Sequence, residues 1–590
     1  MLSLLFHMHQ PDYRHPRTGV PIMPWVRLHG TRGYRDVPRI IAETGAQVTV
    51  NLVPTLIEQI DRYAAGGSDT HLDLCRRPAE SLSPAEADWF VGHAIHGSPR
   101  AFDWFPGWAE LRRRRDRGDA FSFQHLRDLQ VWCNLAWFGA TALEDFPLLG
   151  ALRAKGSGFS DEERVEVLRI QLACICGLRS LFAALPDVSA SPYAHPIVPL
   201  LLDTAHAARC LGPFADPGFR FPRDADDQLA EGRRAVGAWV GHDVRGLWPS
   251  EGSVSPESVE AFAKAGFQWF ATDSGILERS RGEGEGPVWQ VGPMKGLFRD
   301  HALSDRVGFV YADWTPEAVV TDLLARVGDR RAFLALDGEN PWESFRDAGA
   351  GFLRVLFTQA SLTTVSGVAA AEPTGRVDHL HTGSWIAADF KIWIGAPEDQ
   401  AAWRLLRRVR EAFEASTQPE DARRSLWRAE ASDWFWWYGP EFQTPFAGEF
   451  DLLFRAHLAD VLEKIGAPAM PELDQPLSGG AGSTTAPKGE VYPQRQDFFG
   501  WNAAGSVAVT TGSMAPGPGW PSRLEYGWHA GRLVARLVAG KSAMVAEGWR
   551  MELTDREGET PTVFLWTPEG RRVPDSGTWP LLRPILRFEA

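Results

Sequence analysis

"RAFLALDGENPWE" occupies residues 331–343. Five apolar residues, Ala332 to Leu336, run without a polar break and stop at Asp337-Gly338-Glu339. A run this short, closed by a turn signal, reads as a buried strand. Asp337 then sits at its wet end. Desolvation there disfavours the carboxylate and raises its pKa, which is what a general acid needs near neutral pH.

The same pattern extends outward. "MLSLLFHMHQP" reads as a short buried strand with a loop from Pro11, and "QVTVNLVPTLIEQIDRYA" as a strand, a turn at Pro54 and a helix. Further on, "PIVPLLLD", "ESVEAFAKAGFQWFATD", "VGFVYAD", "TPEAVVTDLLARVG" and "RAFLALDGEN" alternate helix with short apolar strand. Such alternation argues for α/β units on a parallel sheet or barrel. The strand ends carry His9, Asp273, Asp313 and Asp337, and C-terminal strand ends are where barrels build active sites. Residues 80–190 carry helical periodicity, with Ser83 as an N-cap and Pro84 in the first turn. Residues 350–465 are again helical. A segment rich in Pro, Gly, Ser and Thr at 471–490 reads as linker. The last hundred residues hold short alternating runs between turn signals, which fits a β-sandwich.

Composition narrows the classes of partner. The 590 residues carry a net charge of −14 and no long basic run, which disfavours nucleic acid and anionic membrane. The five cysteines form neither a disulfide framework nor a zinc knuckle. The N-terminus lacks the basic start of a signal peptide, and no apolar run is long enough to span a membrane. A cytoplasmic protein is expected. Tryptophan is abundant, 25 against 8 tyrosines, and much of it lies beside loop residues, as in "FDWFPGW" and "SDWFWWYGP". Indole faces suit the apolar faces of sugar rings, although most tryptophans are expected in the core.

Two further groups can carry chemistry. His7 and His9 of "HMHQP" share one face of the first strand; they suit a metal pair, contacts to a ligand hydroxyl, or structural hydrogen bonds. Glu251 of "GLWPSEGSVSPE" (246–257) precedes a helix starting near Ser255 or Pro256, whose N–H groups would favour the ionised form. One carboxyl kept protonated and one kept ionised is the pairing required for glycoside cleavage. Solvated charges at loop ends are the alternative.

"FHMHQP", "SPYAHPIVPLL", "GLWPSEGSVSPE", "LALDGENPWE" and "GSWIAADFKIWIG" together, in that order from residue 6 to about 395, resemble glycoside hydrolase family 57. "SDWFWWYGPEFQTPFAGEFDLLFR" is similar to its amylopullulanase and α-amylase side. The resemblance implies a (β/α)7 barrel, an incomplete TIM-like barrel, over residues 1–350 with a helical insertion at about 55–185. A helical domain at 351–470 would complete the cleft, with a linker at 471–490 and a β-sandwich at 491–590. It implies Glu251 as nucleophile and Asp337 as general acid/base of a retaining enzyme. His7, His9, Gln10, His195, Trp248, Glu339, Trp385 and Trp436 are the implied substrate contacts. No metal and no cofactor are expected. The implied substrate is an α-1,4-glucan, with α-1,6 links as an extension. The alternatives are 4-α-glucanotransferase or branching-type transfer, and a non-catalytic glucan-binding protein. Ser274 after Asp273, and Ala388-Asp389, depart from the commoner family pattern and leave the subsites open.

Overall fold

The computed structural model describes residues 1–440, 442 and 444–477, together with the backbone of six strands between 505 and 589. The chain divides into two compact units. One is Met1–Gly439 with Glu449–Leu477; the other is Pro440–Gly448 with Ser478–Ala590.

The first unit is a mixed α/β fold around a central sheet. Its strands are β1 (Leu2–Met8), β2 (Thr49–Leu52), β3 (Asp187–Ala190), β4 (Gly246–Leu247), β5 (Trp269–Asp273), β6 (Arg281–Gly284), β7 (Trp289–Val291), β8 (Met294–Arg299), β9 (Ala332–Asp337) and β10 (Gly375–His379). The order across the sheet is β6-β10-β7-β8-β5-β4-β3-β2-β1-β9. Seven neighbours, from β9 through β1 and β2 to β8, pair in parallel throughout. Parallel strands covered on both faces read as unbroken apolar runs. β1 accordingly is buried along its whole length, and in β9 only the final Asp337 is not. Leu5, Ala271, Leu297 and Ala335 come from four strands and join Trp248 and Trp269 in one apolar cluster.

A helical segment between β2 and β3, from Pro54 to Ala183, builds its own core around Trp108, Trp132, Leu129 and Phe90. Ser83 caps the helix Pro84–His93 in a capping box with Glu86, as its sequence signature predicts. Many tryptophans are core residues with a satisfied N–H. Trp132 donates to the Gly156 carbonyl and Trp403 to that of Trp393, each at 2.8 Å.

Two expected strands are helical. In "PIVPLLLD" the helix Val198–Leu202 forms instead, with Pro199 in its first turn. In "VGFVYAD" the chain completes the helix His301–Phe309 and a short 3-10 turn, Tyr311–Asp313. Leu303, Val307 and Tyr311 are all buried; their spacing of four is a helical stripe, which the apolar content masks. Asp313 therefore ends no strand. It is exposed and pairs with Arg100. Conversely, β10 adds a strand to a segment that reads as helical; it pairs parallel to β7 and antiparallel to β6.

In the second unit, β11 (Gly505–Ala508), β12 (Pro521–His529) and β13 (Arg532–Ala539) form an antiparallel sheet in that order. β14 (Trp549–Thr554) pairs antiparallel with both β15 (Thr562–Trp566) and β16 (Ile585–Glu589). Most of the expected linker, 478–490, and the turns between these strands lie outside the described residues. Among the described residues no helix is long and apolar enough to cross a membrane.

Candidate active site

Strand register assembles the first wall. His7 pairs with Asp337 on β9 and with Asn51 on β2, and Asn51 pairs with Ser189 on β3. One polar row, Asp337-His7-Asn51-Ser189, thus crosses four strands directly above the apolar row Leu336-Phe6-Val50-Val188. The row is internally bonded. Asn51 Oδ1 lies 2.7 Å from His7 Nδ1, and Asn51 Nδ2 donates to Ser189 Oγ at 3.1 Å. Gly338 lets β9 close on β1 just past this row. Its N–H donates to the His7 carbonyl at 2.7 Å, and a Cβ there would fall 1.9 Å from Met8 Sδ.

Glu251 and His195 follow β4 and β3. Both hold left-handed backbone, with φ of 57° and 62°, a strain of about 1–3 kcal/mol each in a non-glycine residue. Glu251 lies in a short turn, Ser250–Gly252. The Trp385 indole N–H donates to its Oε2 at 3.0 Å, and Ser432 Oγ donates to Oε1 at 3.3 Å. Burial, then the charges of Asp433 and Asp337, push the Glu251 carboxyl up to about 8; the bonds from Trp385 and Ser432 pull the other way. The helix expected to favour its ionised form starts at Pro256 and is capped by Ser255 and Ser258 themselves. Its N-terminus is spent locally, so burial and like charge win.

The second wall is helical. The helix Ser432–Trp436 brings Ser432 and Asp433 to the strand ends. The Ser432 N–H donates to the His195 carbonyl at 3.0 Å, and Ser432 Oγ lies 3.0 Å from His195 Nδ1. Asp433 Oδ1 lies 2.9 Å from His9 Nε2. The rings of His7, His9 and His195 stack, the closest pair 3.9 Å apart at their centroids. Burial, then His9, lowers His7 to about 3, and burial holds His195 well below the usual histidine range. Both are neutral. His9 Nδ1 and His195 Nε2 are buried with no partner among the described residues, as atoms awaiting a ligand would be.

Glu339 is buried next to Asp337. Burial, then the Asp337 charge, raise it well above the ordinary carboxylate value, against a bond from Tyr34. Gln10 is engaged by Tyr13, whose hydroxyl donates to Gln10 Oε1 at 2.6 Å. Trp248 is fully buried and meets Trp385 edge to face at 5.7 Å; it supports the site from below rather than offering a sugar platform. Trp436 packs on Trp393 and Trp437, on the same short helix as Asp433.

Four participants escape a reading of the sequence: Asn51, Ser432, Asp433 and Arg299. Arg299 ends β8 and stacks 4.6 Å over the Trp385 ring. Its Nε donates to Asp273 Oδ2 at 2.6 Å. A continuous chain, Asp273-Arg299-Trp385-Glu251, therefore fixes the indole that holds Glu251. Asp433 lies inside "SDWFWWYGP", where the tryptophans draw the eye. Among the described residues, His9, His195 and Asp433 are the group able to present three metal-ligating atoms, all within 4.8 Å. In this arrangement His9 Nε2 and Asp433 are already bonded to each other.

The sequence model of Glycosyl hydrolase family 57 matches residues 3–369. Among curated proteins no sequence match is found. A branching enzyme from Thermococcus kodakaraensis shares the fold, with a TM-score of 0.50 and 14% identity over 81% of this chain and 93% of that one. A branching enzyme from Pyrococcus horikoshii aligns at a TM-score of 0.48 and 14% identity, covering 80% and 92%. An α-amylase from Thermotoga maritima aligns at 0.45 and 13%, covering 80% and 94%.

Proposed function

The chain belongs to glycosyl hydrolase family 57, and we propose that it cleaves α-1,4-linked glucans with retention, using Glu251 as nucleophile and Asp337 as general acid and base. One observation carries this reading. Glu251, held by Trp385 and Ser432, follows β4, and Asp337 ends β9, at the same end of one parallel sheet. Asp337 protonates the glycosidic oxygen while Glu251 attacks the anomeric carbon. A β-glycosyl ester forms and the leaving chain departs with the proton. Asp337, now a base, takes a proton from water, and attack on the opposite face regenerates Glu251 and restores the α configuration. In this reading the unpartnered buried nitrogens of His9 and His195, and the unpartnered Glu339 Oε2, bind sugar hydroxyls.

We read the seven parallel strands as the (β/α)7 barrel, closed between β8 and β9. The Asp300 N–H just after β8 donates to the Phe333 carbonyl of β9 at 2.7 Å, which supports closure. In this reading residues 1–350 form the barrel with its helical insertion, 351–470 supply the second wall through Ser432 and Asp433, and 491–590 form a β-sandwich.

Product analysis over time on maltoheptaose and pullulan, wild type beside Glu251→Gln, tests the assignment. A net gain of reducing ends that the variant loses is expected. Redistribution into longer and shorter chains without that gain would make the chain a transferase with the same residues. Wild-type turnover in Glu251→Gln would overturn the nucleophile.

A further inference from the structure

A second cavity, about 440 Å³, opens in the first unit away from the carboxylates and histidines described above. It takes up a motif the glycosidase reading leaves unused. Trp104 and Phe105 of "FDWFPGW" line it, with Phe138, Trp314, Phe345 and Phe352. Three arginines, Arg32, Arg153 and Arg346, line it as well.

The arginines are the unusual part. Arg32 is 7% exposed; it donates once, to the Trp342 carbonyl at 2.9 Å, and its buried Nε has no partner among the described residues. Arg153 donates to the carbonyls of Leu135 and Phe138 and lies 4.8 Å over the Phe105 ring. Among the described residues neither makes an ion pair with a carboxylate, in a chain where most buried arginines do so: Arg27 pairs with Asp69 and Arg410 with Asp224. Asp347 lines the cavity as well, and Glu343, Asp36 and Asp347 favour the Arg32 charge, though none is within ion-pairing distance of it among the described residues. Asp36 accepts from the N–H groups of Ala140 and Thr141, and Asp347 from those of Gly349 and Gly351. The cost is visible: burial, then the neighbouring Arg32, push Arg153 down to about 9. Arg32 is buried and Arg153 half-buried, and two guanidiniums close enough to repel each other, with no carboxylate bonded to either among the described residues, favour an anion that joins them.

Guanidinium forks match phosphate oxygens, and aromatic faces match the C–H face of a sugar or a base. The volume is that of a small-molecule site. A neutral glucan would fill the aromatic part and leave both cations unpaired. We propose that this cavity binds the phosphate ester of a sugar, its phosphate between Arg32 and Arg153 and its ring against Trp104 and Trp314. A free hexose phosphate and a nucleoside monophosphate share that chemistry.

Calorimetric titration of the full chain with glucose 1-phosphate, AMP, inorganic phosphate and maltotriose tests this. One or both esters should bind, and which one names the source. Arg153→Met should weaken that binding roughly tenfold or more, the loss of a charge-assisted contact. Arg153 also anchors two carbonyls, so Trp314→Ala, at the exposed mouth, is the second variant; it should weaken ester binding severalfold with an unchanged melting temperature. Failure of both esters to bind, or equal binding in both variants, overturns the proposal. So does inorganic phosphate binding as tightly as either ester, because the ring would then contribute nothing. Maltotriose binding that Trp314→Ala abolishes, with no ester bound, would instead make the cavity part of the glucan cleft.

Discussion

The two walls of the site are built by different means. The strand-end wall places Asp337, His7, Glu251 and His195 through register and tight turns. The helical wall places Ser432 and Asp433 through one short helix from much later in the chain. Yet the Asp433 charge does more than the Asp337 charge to raise Glu251, and Ser432 bonds both Glu251 and His195. The sheet lays down the reacting groups; the helix adds to what burial does to the proton affinity of one of them. A glycosidase needs its nucleophile ionised and its acid protonated. In the free site Glu251 leans the wrong way, so its ionisation is the step most open to tuning.

Removing a reacting group should break the comparison most sharply. Glu251→Gln should lower kcat on maltoheptaose on the order of 10⁴-fold or more, as expected for loss of a nucleophile, with a circular dichroism spectrum like that of wild type. Asp337→Asn should cost roughly 10²–10⁴-fold on the same substrate. It should cost far less on an aryl α-maltoside with an acidic phenol, which leaves without protonation. Equal losses on both substrates would remove Asp337 from the acid role.

Altering the helical wall should move a pKa rather than abolish chemistry. Glu251 must be ionised and Asp337 protonated to react, so kcat/KM should show a limb near pH 8, where Glu251 titrates. Asp433→Asn removes a like charge and should shift this limb to lower pH. Trp385→Phe removes a hydrogen bond that favours the carboxylate and should shift it upward. The two variants must move in opposite directions. A common direction would mean that the limb reports some other group.

The same contrast explains what could be read without coordinates. "AFLAL" and "LSLLF" show their burial directly, so Asp337 is legible as a wet strand end and His7 as a residue of the first strand. Their meeting in one row is not legible, because register is set by neighbours rather than by either run. β4 is two residues long and β8 is interrupted by Lys295 and ends on Arg299; neither carries enough apolar sequence to announce itself. "VGFVYAD" carries apolar residues that belong to a helical stripe. The ionisation of Glu251 is not legible because its burial is set by the fold and the helix after it is capped by its own serines. Asp433 is one acid among many until the fold brings it to His9.

The gentlest test lies on the strand-end wall itself. Arg299 touches no reacting atom; it holds Trp385 by stacking, and Asp273 holds Arg299. Arg299→Lys keeps the charge but loses the planar fork that stacks and bonds together. A cation–π contact of this kind is worth about 0.5–2 kcal/mol, so kcat/KM should fall between roughly twofold and thirtyfold. A purely structural loss would lower the melting temperature and leave the pH profile in place. A positioning loss loosens the indole N–H from Glu251, so the limb near pH 8 should move upward, in the direction of Trp385→Phe. In the double variant Arg299→Lys with Trp385→Phe, the second change should add little to the first, because both break the same link. Full additivity would show that Arg299 acts on the site by some route other than Trp385.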